Sequence, residues 1–173
     1  MLKSLVNPKT LEYKKLKEYI LSKSFPWYWC ETSTWNTPSL EGHSNDGLYH
    51  HSFLERAIPE RPYTKVNDNN VDKSVKVIDD ILKYNNISYS LFYRIGANSD
   101  PPTESGLPNM PHEDHHYPHT NILIYLTDTH GGYTMVENEK YIGREDDVII
   151  FQGEHYSFPP SRGRRIVLFS TFL

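Results

Sequence analysis

Cysteine is almost missing from this chain: Cys30 is the single one in 173 residues. One thiol excludes an internal disulfide and is the usage expected in a reducing compartment; Cys30 itself reads as a small half-buried thiol. Long apolar runs are missing too. No stretch approaches the roughly 18–20 apolar residues that a membrane-spanning helix needs, and the opening MLKSLVNPKT lacks the apolar core of a signal peptide. These absences predict a cytoplasmic protein with no membrane partner. No basic block exceeds a few residues and the net charge is −4, which speaks against a nucleic-acid partner. No repeat, low-complexity tract or linker divides the chain, so one domain over residues 1–173 is expected, long enough to bury a core. Oligomeric state leaves no mark in the sequence.

Aromatic residues, by contrast, are plentiful: thirteen Tyr, three Trp and seven Phe. They suit a β-rich core and a groove with polar-tipped walls. Asn7-Pro8, followed by Tyr13, Leu16 and Ile20 at helical spacing, predicts a helix over about 8–23. Pro26 ends it, and the aromatics after it predict a strand running to about Thr34, with Trp27 and Trp29 covering a sheet. Residues 36–70 read as loops around one short strand near 49–54, where His50 and His51 point to opposite faces. Val71, Val75, Ile78 and Leu82 predict a second helix over 71–84, ended by Asn85-Asn86. Ile87, Tyr89, Leu91, Tyr93 and Ile95 alternate with polar or outward residues and predict a strand. Residues 96–111, with four prolines and two glycines, predict a loop suited to a lid or substrate wall. Strands follow near 121–127, 132–136, 139–143, 147–151 and 165–172, with hairpin turns at 129–132 and 137–139. Two helices followed by antiparallel strands predict an α+β chain, mostly β. Residues 1–86 would support a β core formed by 87–173.

Four of the nine histidines and two acids crowd into residues 111–119. Within them stands His112-x-Asp114, whose side chains share a face if the backbone is extended. A later single His155 completes two imidazoles and one carboxylate. That donor set, with open positions left over, is the facial triad of non-haem Fe(II) oxygenases. His116 shares the parity of His112 and Asp114 and is the rival ligand. His115 and His119 read as supporting or exposed residues, and His130 as an exposed turn residue.

The order of these features resembles the Fe(II)/2-oxoglutarate-dependent oxygenases: His112-x-Asp114, the strand NILIYL before Gly131-Gly132, His155, and Arg165 ten residues on. Within them it is most similar to the prolyl-4-hydroxylase-like branch, especially the short versions encoded by tailed phages, which would place the protein in a host-cell cytoplasm. The resemblance covers about residues 87–173. It implies a double-stranded β-helix, or jelly roll, with the N-terminal helices packed outside, and His112, Asp114 and His155 as catalytic metal ligands. It also implies Fe(II), 2-oxoglutarate and O2 as cofactor and co-substrates. The basic residue nine or ten positions after the distal histidine would bind the C5 carboxylate of 2-oxoglutarate; Arg165, ahead of the last strand, is chosen over Arg164, with Tyr125 as a second donor. Tyr93 and Arg94 are candidates for the pocket wall. The implied reaction is hydroxylation of an unactivated C–H bond with release of succinate and CO2, a prolyl residue of a peptide or protein being the first candidate substrate and a small molecule the other. An AlkB-like nucleic-acid base oxygenase is a rival, though the arginines are crowded at 162, 164 and 165. A non-catalytic jelly-roll binding module is the rival from another class.

Overall fold

The structure is a computed structural model that describes residues 2–34 and 39–173; residues 36–38 of the expected loop stretch lie outside them. In chain order the elements are β1 (Leu2–Leu5), α1 (Leu11–Leu21), β2 (Tyr28–Cys30), β3 (Leu48–Glu55), β4 (Lys65–Val66), α2 (Val71–Tyr84) and β5 (Phe92–Asp100). Then come β6 (Thr120–Tyr125), β7 (Tyr133–Val136), β8 (Glu139–Tyr141), β9 (Val148–Phe151), β10 (His155–Phe158) and β11 (Arg165–Phe172). They form an eight-stranded sheet in the order β1-β9-β6-β11-β5-β3-β2, with β4 on β3, and a three-stranded sheet β10-β7-β8. Every strand pair is antiparallel. The α+β, mostly-β class and the jelly-roll architecture are those expected.

Period-two alternation decides which face of the large sheet meets what. On β6 and β11, Ile122, Ile124, Ile166, Leu168 and Phe172 join a core with Tyr13, Leu16 and Ile20 of α1 and Val77, Ile78, Ile81 and Leu82 of α2. Their neighbours Tyr125 and Val167 belong to a second apolar cluster, with Val136, Ile149 and Phe151. Each fully buried Leu or Ile contributes about 1.5–3 kcal/mol. Covered on both faces, β11 is buried along its whole length.

Several expectations change. The N-cap of α1 is Thr10, whose Oγ1 accepts from the Tyr13 N–H at 3.2 Å; Asn7 instead accepts from the Lys9 N–H and donates to the Asp146 carbonyl. The buried stripe of α2 centres on Ser74, Val77, Ile78, Ile81 and Leu82, with Val71 and Val75 at its margin. The strand predicted over 87–95 is shifted: Ile87 and Tyr89 pack near the helices, and β5 continues through Gly96, Asn98 and Asp100. These residues have poor strand propensity, yet β11 pairs with all three and β3 with Gly96 and Asn98; tertiary pairing overrides propensity. The 96–111 loop is correspondingly shorter. The turn at 129–132 is not a hairpin, because both edges of β6 are taken by β9 and β11. The chain there crosses to the small sheet. The Trp27–Thr34 strand shrinks to β2, with Trp27 packed on Phe25 at 4.7 Å and Trp29 exposed against Tyr49. Strands β1 and β10 had no sequence signal that singled them out. Residues 1–86 thus contribute β1, β2, β3 and β4 to the large sheet.

Candidate active site

Between the two sheets lies a cavity of about 110 Å³, with His112, Asp114 and His155 toward one part of its lining and Asp100, Thr134 and Arg165 toward another. His112 and His155 are brought together by the backbone. Each donates its N–H to the other's carbonyl at 3.0 Å. Residues directly opposite in an antiparallel pair project to the same side, and the two rings lie 4.5 Å apart. Asp114 enters from the turn after His112; the Arg56 Nη1–H bonds its carbonyl. Its Oδ1 lies 3.4 Å from Arg94 Nη1 and its Oδ2 3.5 Å from His155 Nε2.

The hydrogen bonds settle the tautomers. His112 Nδ1 lies 3.0 Å from the Met110 carbonyl and His155 Nδ1 3.2 Å from the Gly153 carbonyl. A carbonyl only accepts, so both Nδ1 atoms carry the proton. In the neutral rings both Nε2 atoms are left with lone pairs. Burial pushes the His155 pKa down to about 4, more than Asp114 pulls it up. Burial would raise the Asp114 carboxyl, but His155, Arg94 and His112 reverse that and bring it to about 2. At neutral pH, then, a carboxylate oxygen faces an imidazole lone pair with no proton between them. A shared cation is what such a pair of acceptors accommodates. Two imidazoles and a carboxylate are also the donor types that Fe(II) takes, so the donor types fit the metal. Among the described residues, no group of three or more His, Cys, Asp or Glu side chains is placed so that it could hold a metal ion; Asp114 lies between Arg94 and His155 instead.

Arg165 is 4 % exposed and lines the cavity, while Arg164 is exposed over the Tyr49 ring; adjacent strand residues face opposite ways. Its Nη1 donates to Asp100 Oδ2 at 2.5 Å and its Nη2 to Thr134 Oγ1 at 2.8 Å. The fully buried Tyr125 shares a 2.7 Å hydrogen bond with the same Thr134 hydroxyl, and its ring sits 5.4 Å from the Arg165 guanidinium. Arg165 and Tyr125 are therefore neighbours, as the sequence reading requires. Asp100 is new. It was hidden because β5 was expected to stop at Ile95; extending the same alternation from Arg94 through Asn98 to Asp100 would have found it. Asn121 and Thr134 were also missed, and their residue types give no signal by themselves.

Of the other candidates, His116 is exposed and takes no part in the site. His115 is buried, with Nε2 at 2.7 Å from Thr171 Oγ1 and its ring stacked on Tyr117; His119 is buried against it. Arg94 lines the cavity, its guanidinium 4.8 Å from the Phe169 ring centre. Tyr93 turns away to His115 and Tyr117. His50 and His51 separate as expected: His50 bonds Asn98 at 2.8 Å, whereas buried His51 bridges Pro26 and Asp68.

No family model matches the chain, and no curated protein matches its sequence. The likeness is in three dimensions: the fold is that of the 2OG-Fe(II) oxygenases. A 2OG-Fe(II) oxygenase family oxidoreductase from Burkholderia pseudomallei superposes with a TM-score of 0.59 at 11% identity, over 85% of this chain and 72% of that one. The non-heme alpha ketoglutarate dependent epimerase SnoN from nogalamycin biosynthesis superposes with a TM-score of 0.57 at 12% identity, over 99% of this chain and 77% of that one. A Pseudomonas putida prolyl-4-hydroxylase aligns more loosely, with a TM-score of 0.47 at 13% identity, over 73% of this chain and 71% of that one. No helix among the described residues is long and apolar enough to cross a membrane.

Proposed function

We propose that this protein is an Fe(II)- and 2-oxoglutarate-dependent dioxygenase that oxidises an unactivated C–H bond, hydroxylation being the outcome favoured, with release of succinate and CO2. One observation carries the reading: a single cavity joins an imidazole–carboxylate–imidazole set, His112, Asp114 and His155, to a buried arginine, Arg165. His112 and His155 would hold the metal through their Nε2 atoms and Asp114 through its carboxylate. Iron, once bound, supplies the activation of O2 that couples oxidative decarboxylation of 2-oxoglutarate to oxidation of the substrate. A ligand set of three leaves positions for other groups. Arg165, braced by Thr134 and Tyr125, would orient the distal carboxylate of 2-oxoglutarate. Leu123, Phe151 and Val167 line the cavity between polar groups and exclude water. The motif order resembles the prolyl-4-hydroxylase-like branch and its short phage-encoded members, so a prolyl peptide is the first substrate to try. Arg94 and Asn98 also give the wall donors for a polar small molecule.

The test is Fe(II)-dependent succinate release. Alanine at Asp114 or His155 should abolish both iron uptake and turnover while the sheets still fold. Arg165→Ala should keep iron but raise the KM for 2-oxoglutarate about 30-fold or more, since removing one partner of a buried charged pair costs about 2–5 kcal/mol. Iron affinity like that of wild type in His155→Ala would refute the ligand set.

A further inference from the structure

Arg165, the residue offered to the co-substrate, already has a carboxylate. Arg165 and Asp100 are directly opposite in the β11–β5 pair. Their side chains are 5% and 8% exposed, and they are joined by a 2.5 Å ion pair. Both line the cavity. Burial would lower the guanidinium pKa, and Asp100 and Tyr125 raise it instead. The guanidinium is only partly used. Nη1 serves Asp100 and Nη2 serves Thr134, while Nε is buried with no hydrogen-bond partner among the described residues. A buried donor left unmet costs free energy until an acceptor arrives. This fork therefore keeps its Nε–H for a ligand and has a resident anion beside it.

We propose that Asp100 is a built-in counter-ion that competes with the distal carboxylate of the co-substrate and so sets how strongly the site prefers a dicarboxylate over a monocarboxylate 2-oxo acid. The inference rests on the functional reading above. An unpaired arginine this deep would destabilise the ligand-free fold; Asp100 removes that instability. It does so at the expense of dicarboxylate affinity, because a second carboxylate at the same guanidinium meets a like charge. A 2-oxo acid without a distal carboxylate never reaches the pair.

The measurement is calorimetric titration of anaerobic, Fe(II)-loaded protein with 2-oxoglutarate and, separately, with pyruvate, for wild type and Asp100→Asn. The Kd for 2-oxoglutarate should fall about tenfold or more in Asp100→Asn, while that for pyruvate stays within about twofold. Melting gives a second readout: the variant without ligand should melt below wild type, and 2-oxoglutarate should raise its Tm by more than it raises that of wild type. Asp100→Ser, smaller and equally neutral, repeats both measurements if Asp100→Asn does not fold. If 2-oxoglutarate binds wild type but the neutral variants bind it no better, Asp100 only braces Arg165 and the proposal fails while the functional reading stands. Equal gains for pyruvate and 2-oxoglutarate overturn it as well. If wild type takes up neither acid, the functional reading falls and the proposal with it.

Discussion

Gly143 stands where any larger residue would strike Tyr125. A Cβ there would lie 2.4 Å from the ring Cε1 and 2.6 Å from Cζ, far inside contact distance. Tyr125 is fully buried and cannot retreat, and its hydroxyl is tied to Thr134. Gly143→Ala should therefore destabilise the fold by about 1–3 kcal/mol, the range for overpacking a filled core. Urea unfolding checks this, and a midpoint within error of wild type contradicts it. Gly96 works in the same way for Phe169, whose ring Cζ would lie 2.8 Å from an added Cβ; the bare backbone lets that ring lie flat beneath Arg94. Neither glycine carried a signal in the sequence, since the clash is with residues far along the chain.

At the scale of elements, α1 is fastened to the sheet chiefly through Asp146, with Glu145 beside it on Lys17. Asp146, at the turn before β9, accepts from Tyr13 Oη at 2.6 Å and pairs with Lys17 at 2.5 Å and Lys9 at 2.8 Å. Burial would raise its pKa, but Lys17, Lys9 and Tyr13 together lower it to about 2. The sign follows: the depressed carboxyl contributes stability in full above its unfolded value near 3.8, and that contribution is lost as pH falls toward 2. Asp146 is in the left-handed region at φ 71°, which Asn tolerates, so Asp146→Asn removes the charge without new strain. Denaturant unfolding at pH 7 should show a loss of about 1–3 kcal/mol, from the lost pairs with Lys9 and Lys17 and the weakened Tyr13 hydrogen bond, Glu145 still holding Lys17. At pH 3 the gap between the two proteins should narrow. An equal gap at both pH values contradicts the assignment. The helix itself was legible from Tyr13, Leu16 and Ile20; its anchor was not, because Asp146 is 133 residues from Tyr13.

For the whole molecule, stability should be graded from the middle of the large sheet outward. β11 lies between β5 and β6 and is buried on both faces. The edges are short: β4 has two residues, β2 and β8 three each. Amide exchange should be slowest in β11, β6 and β5 and fastest in β4, β2 and β8, since local opening follows buried contacts. Protection of β8 equal to that of β11 would contradict the layered arrangement.

The sequence by itself determined both helices, the central strands and one donor set. Tyr13, Leu16 and Ile20 mark one helix and the stretch from Val71 to Leu82 another; the apolar runs NILIYL and IVLF mark two central strands, and His112-x-Asp114 with His155 marks a donor set. Local period and residue type carry those facts. Parity on β11 said that only one of Arg164 and Arg165 points inward; the family resemblance chose Arg165. Only the tertiary structure decided what long-range pairing decides. The His112–His155 backbone pair sets the two imidazoles side by side. The β5–β11 register puts Asp100 across from Arg165, and the small sheet brings Thr134 over both Arg165 and Tyr125. A strand's sequence states which residues share a face; which neighbour that face meets is settled when non-local hydrogen bonds fix the register. The counter-ion of the site's deepest arginine is a product of that register.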